Sequence, residues 1–260
     1  MAQNAGKIDG VPFRAISSLP RRGKMSLFDF FKSQKPKAPS SPVETVPAFD
    51  PHSDYDLLSA TQRDTLCESV LRQHLPLLGL TEMESRVWVD GSAPPVRRMF
   101  ELQLLKGAGL KAKWGFSLDF VPHLSGRRVS WHRSNKAAML DVVVDPKDLG
   151  QPSYLFGSAR LSSGLQKLIP EALTRAVATW AKGDTYQGML DIIREIRECN
   201  SNCFGFYNYT QLPLAYIFLS AMTGELNAAD EELERYLSLH HLKEGEDAKL
   251  RKLVRDCCST

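Results

Sequence analysis

Asp90 and the run Glu101-Leu102-Gln103 carry the residue types for Mg²⁺-assisted phosphodiester cleavage. In a nuclease core of that kind an aspartate and a glutamate hold the ion while a lysine activates water. Gln103 stands where the lysine belongs, so the group that would activate water is missing from the run. Period-two alternation of an extended chain places polar residues at 101 and 103 without any reaction to serve. A second constellation is Cys199-Asn-Ser-Asn-Cys203 with His240-His241 and Cys257-Cys258 downstream, from which zinc could take Cys199, Cys203, His240 and Cys257. The same cysteines read as the close of a helix and as ordinary buried thiols, and no metal or other cofactor is expected. Lys106-Gly-Ala-Gly-Leu-Lys111 has glycines but neither the spacing of a phosphate-binding loop nor a helix after it, so it reads as a turn. No Gly-x-Ser-x-Gly elbow and no compact Ser/His/Asp or Cys/His signature is present. Arg127, Arg128, His132, Arg133 and Lys136, with Trp131 among them, form a basic and aromatic patch that could contact RNA or an acidic protein. Charge that protects a hairpin edge from pairing accounts for the same residues.

These side chains must be held by the stretch Arg86 to Val144, which alternates with period two. Phe100, Leu102 and Leu104 share one face of a strand over 98–105, and Met99, Glu101 and Gln103 share the other. Over 112–121, Trp114, Phe116, Leu118 and Phe120 oppose Lys113, Gly115, Ser117 and Asp119. A third run, 138–144, sets Leu140, Val142 and Val144 against Met139, Asp141 and Val143. With Arg86–Asp90 and Arg128–Trp131 added, the expectation is a meander of four or five antiparallel strands with one wet face.

Helices flank this sheet. Ser59 or Thr61 caps one that runs to about Leu78, distorted by Pro76 and ended by Gly79, the expected lid of the Trp114/Phe116 face. After a connection from Pro146 to Gly164, the stripe from Leu165 to Trp180 predicts a helix that begins near Ile169, because Pro170 is tolerable only in a first turn. Further helices are predicted after Asp184 or Thr185, over the apolar run Pro213–Thr223, over Ala228–His240 with Asn227 as cap, and over about Glu246–Cys257.

A length of 260 residues with 43% hydrophobic residues supports a packed core. No apolar run approaches the roughly 18 residues of a membrane span, and no signal-peptide pattern is present. Five cysteines are too few and odd in number for a disulfide scaffold, so a cytoplasmic setting is expected. Residues 1–37 hold eight Lys/Arg against Asp9 and Asp29, a net +6 that leaves −3 for the rest, which speaks against a nucleic-acid groove in the body. Residues 1–54 read as a flexible basic, Pro-rich leader and linker. Met25 is a candidate true start, and Met25–Lys37, with its Leu27, Phe28, Phe30 and Phe31, is a candidate membrane-surface anchor.

The order of helix, Gly79, strands bearing Phe100-Glu-Leu-Gln103 and Trp114-Gly-Phe-Ser-Leu-Asp119, and helices around Leu168-Ile-Pro170 resembles small uncharacterised bacterial α+β proteins of the domain-of-unknown-function type. The resemblance covers about 57–199 and implies a fold, with no catalytic residues to carry over. Gly224–Ala229 is similar to the turn of a tetratricopeptide-type hairpin, but in a single copy. The expectation is one α+β domain over 55–258: helix plus sheet over 55–150, then helical hairpins over 160–258. Its leading role is non-catalytic binding of another protein, as a bacterial adaptor or toxin-neutralising protein, through Glu101, Gln103, Asp119, Arg128, Trp131 and Arg133. The alternatives are the Asp90/Glu101 nuclease and peripheral membrane attachment.

Overall fold

A capping box starts the first helix, α1 (Ala60–His74): the Ser59 hydroxyl accepts from the Gln62 amide at 3.3 Å, and the Gln62 side chain accepts from the Ser59 amide at 2.9 Å. Pro76 tightens the end into a 3-10 turn over Leu75–Leu78, and Gly79 takes φ 77°, a left-handed conformation that ends it. The computed structural model describes residues 57–90, 95–106, 108–198 and 206–257, all within one unit of the chain.

The fold is α+β. Strands β1 (Leu80–Glu84), β2 (Val87–Asp90), β3 (Val96–Leu104), β4 (Leu110–Leu118) and β7 (Val142–Val144) form an antiparallel sheet in the order β1-β2-β3-β4-β7. The predicted strands at 98–105 and 112–121 are β3 and β4, paired Phe100 to Trp114 and Glu101 to Lys113 across the loop at 105–109. β1 is an addition that the sequence reading lacked. Arg128–Ser130 does not join the meander. As β6 it pairs with β5 (His123–Ser125) in a separate ribbon, whose turn places Gly126 and Arg127 at φ 55° and 68°. The ribbon docks on the last helix, where the Val129 amide donates to Glu246 at 2.9 Å and Lys249 donates to the Val129 carbonyl at 3.1 Å.

One face of the sheet buries Trp88, Phe100, Leu102, Trp114, Phe116 and Leu118. Its cover is the long helix α2 (Gly157–Lys182), against which α1 packs, rather than α1 alone. The Trp114 indole donates to Thr179 at 2.9 Å, and the Trp180 indole donates to the Gly115 carbonyl at 3.0 Å. α2 begins well before Ile169 and runs straight through Pro170. Leu161 and Leu165, both fully buried, continue the apolar stripe upstream, and their packing outweighs the one hydrogen bond a proline removes. Gly115, at φ 152°, lets β7 approach: a Cβ there would stand 1.8 Å from the Val142 carbonyl oxygen.

The helical half comprises α3 (Tyr186–Glu198), α4 (Gln211–Met222), α5 (Leu226–Leu239) and α6 (Glu246–Cys257). Thr185 caps α3 by accepting from the Gly188 amide at 3.0 Å. α4 is buried almost all round, as its composition predicts. α5 starts at Leu226, one residue before its predicted cap Asn227, after Gly224 turns the chain at φ 83°.

Candidate functional site

The second face of the sheet is where sequence and structure part. Alternation makes it polar, and a solvated surface was the natural expectation, yet Arg97, Lys111, Lys113 and Ser117 on it are all buried. The connection from Trp131 to Asp141 and the turn at Phe206–Thr210 fold over this face, and they bring partners for its charges. Asp141 and Asp145, which flank β7, lie on this side with Val143, which is paired with Gly115.

Four polar clusters result. Arg97 forms a bidentate ion pair with Asp119 and donates to Asn135 at 2.7 Å. Lys111 pairs with Asp145, both buried, and the Tyr209 hydroxyl donates to the same carboxylate. Burial, with that carboxylate beside it, holds the Tyr209 phenol well above its ordinary pKa. Lys113 lies 3.6 Å from Glu101, with its ammonium 5.9 Å from the centre of the Tyr209 ring. His132, read from the sequence as part of a basic patch, is buried with Nε2 2.7 Å from Asp141. Burial pushes the Asp141 carboxyl up to about 6 against the pull of hydrogen bonds from His132 and the Leu118 amide. Burial, and His132 beside it, lower the pKa of His123.

The cover is incomplete. Between the face and its rim lies a cleft of about 420 Å³ bounded by Met83, Met99, Glu101, Lys113, Asn135, Met139, Tyr209 and Gln211. Gln211 is buried, its amide nitrogen 3.3 Å from the Met139 sulfur, and its side-chain carbonyl oxygen has no hydrogen-bond partner. A larger cleft of about 770 Å³ opens on the other face, beside Asp90, Arg98, Phe116, Trp180 and Tyr186. Two of its charges are matched to each other: Arg98 donates to Asp90 at 2.8 Å and lies 5.7 Å from the centre of the Trp180 ring. Of the two clefts, only the smaller is lined by a residue with an unsatisfied buried polar atom, Gln211.

No family model, curated protein or solved structure matches the chain.

The residues singled out from the sequence separate into distinct places. Asp90 faces Arg98 and Trp180 on the first face, whereas Glu101 faces Lys113 on the second, so the sheet stands between the two carboxylates. Gln103 shares the face of Glu101 and is paired with Lys111. Asp119 is committed to Arg97. Arg133 donates to the Asp119 carbonyl at 3.0 Å and stacks its guanidinium 3.8 Å from the centre of the Trp131 ring. Arg128 is exposed on β6. Of the zinc alternative, Cys199 and Cys203 lie outside the described residues, as do Met25–Lys37 and the rest of the expected leader. Among the described residues no three His, Cys, Asp or Glu side chains gather as a metal cage. No helix among them is long and apolar enough to cross a membrane. Lys111, Lys113, Asp145, Tyr209 and Gln211 were missed as site residues. The available signal was a pair of lysines on a strand that has neighbours on both sides, where solvation is hard to reach.

Proposed function

We propose that this is a non-catalytic binding protein of the adaptor or toxin-neutralising kind, acting in the cytoplasm, and that it takes a polar segment of another protein into the cleft on the second sheet face. The observation that carries this is a cleft lined by a carboxylate and an ammonium, Glu101 and Lys113, that meet only at 3.6 Å. Glu101 and Lys113 can turn toward partner groups of opposite charge. Met83, Met99 and Met139 supply an adaptable apolar lining suited to an inserted side chain. The separation of Asp90 from Glu101 by the sheet speaks against the Mg²⁺ nuclease, since one ion would have to contact both.

Site-specific photo-cross-linking of the full chain in its host tests this. A benzophenone side chain in place of exposed Lys136, at the rim of the cleft, is expected to trap a discrete protein adduct. The same probe at exposed Leu226 is expected not to, and Glu101→Lys should abolish the adduct at 136. Identical adducts from both positions, or an adduct indifferent to Glu101→Lys, would refute the assignment.

A further inference from the structure

His123 and His132 face each other with Nδ1 atoms 3.3 Å apart, ring centres 5.4 Å apart and ring planes inclined at 60°. The far nitrogen of His132, Nε2, lies 2.7 Å from Asp141, and the Leu118 amide donates to the same carboxylate oxygen at 2.6 Å. With that carboxylate accepting, the network places the His132 proton on Nε2 and leaves the Nδ1 lone pair directed at His123. Without an ion, His123 Nδ1–H donates to that lone pair across a long 3.3 Å contact, beyond the roughly 2.9–3.0 Å usual for an N–H bond. That distance matches the separation, about 3.3 Å, of two nitrogens each about 2.05 Å from a tetrahedral ion. A carboxylate behind one imidazole is also how metal sites fix a ligand's tautomer and raise its basicity. Both histidines belong to one rigid piece: His123 is in β5 paired with Ser130, and His132 follows β6, whose Val129 is bonded on both sides to α6.

We propose that His123 Nδ1 and His132 Nδ1 chelate one divalent ion of the zinc class, with Asp141 as the positioning residue. No third side chain of the described residues closes the site, so the remaining coordination positions face water or a donor from another molecule. Half-buried His123 is the side from which the ion enters. On binding, His123 transfers its ring proton from Nδ1 to Nε2 through solvent, with no net change in protonation.

The test uses the full chain, stripped with EDTA and titrated with ZnCl₂, read by calorimetry and by ¹⁵N shifts of the histidine rings. One ion per chain is expected, moving the Nδ1 resonances of His123 and His132 together. His123→Ala should keep the fold and lose at least tenfold in affinity, while His240→Ala and His241→Ala should bind as the wild type does. Asp141→Asn still offers an oxygen to the Leu118 amide. The same oxygen still accepts from His132 Nε2–H but the negative charge is gone, so the variant should keep the circular dichroism spectrum and weaken Zn²⁺ binding by about 10–100-fold. Absence of stoichiometric binding, unmoved Nδ1 resonances, or an affinity unchanged in His123→Ala would overturn the assignment. Should Asp141→Asn fail to fold, the His123→Ala titration and the ring shifts decide the question by themselves.

Discussion

Lys111 and Asp145 meet beneath the cover of the second face with side chains only 5% and 3% exposed, and the Tyr209 hydroxyl completes the group. Lys111→Met removes one charge and leaves the other buried beside the Tyr209 hydroxyl, a loss of about 3–5 kcal/mol. Domains have about 5–15 kcal/mol of stability in all, so this single change should remove about a fifth or more of it. With a urea dependence near 2 kcal/mol per molar, the midpoint should fall by about 2 M. The companion variant is Lys111→Met/Asp145→Leu/Tyr209→Phe, which replaces the whole group by apolar side chains of similar volume. It should lie within about 1–2 kcal/mol of the wild type, because the cost of bringing two charges out of water vanishes with them. Equilibrium urea unfolding, followed by the fluorescence of buried Trp114 and Trp180, measures both. The reasoning is refuted if Lys111→Met costs under about 1 kcal/mol, or if the losses of the separate substitutions simply add, since strong coupling is the signature of a desolvated pair.

Other consequences follow from single sites. Gly115→Ala directs a Cβ to within 1.8 Å of the Val142 carbonyl, so β7 should detach from β4, with a loss above about 3 kcal/mol and a collapsed near-ultraviolet dichroism signal. Ser59→Ala removes the side-chain half of the capping box and should cost about 1 kcal/mol, seen as a fall of about 2–4 °C in Tm. Cys67 is fully buried and its thiol is pushed up to about 11 by burial. In a variant that keeps it as the sole cysteine, a thiol reagent at pH 8 should modify it no faster than the fold opens.

The first face was legible because its signal is local. Phe100, Leu102, Trp114 and Phe116 alternate strictly, and an apolar face of that size has one physical outcome. Helix ends set by a single residue were legible too, as at Gly79, Thr185 and Gly224. Pro170 misled because a local rule about helix starts lost to the packing of Leu161 and Leu165, which no rule of sequence spacing weighs. β6 misled for a related reason: whether a strand joins the main sheet or an outlying ribbon depends on the anchor Glu246 offers to Val129, more than a hundred residues away in the chain.

The second face shows why the candidate site was the least legible part. Alternation reports that Lys113, Ser117 and Glu101 point away from the apolar core, and it is silent about what lies on the other side. A polar face can be wet, or it can be covered by a segment that carries complementary charge, and both give the same periodicity. Asp119, Asp141, Asp145 and Tyr209 are the complement here, drawn from the strand end, from the flanks of β7 and from the turn before α4. The cover supplies partners to Arg97, Lys111 and His132, while Ser117 Oγ and Asp141 Oδ1 stay buried without a hydrogen-bond partner. At the loosely met Glu101 and Lys113 the cover stops and the cleft begins. Loose pairing and opening coincide at Glu101 and Lys113, where a second molecule can reach both charges.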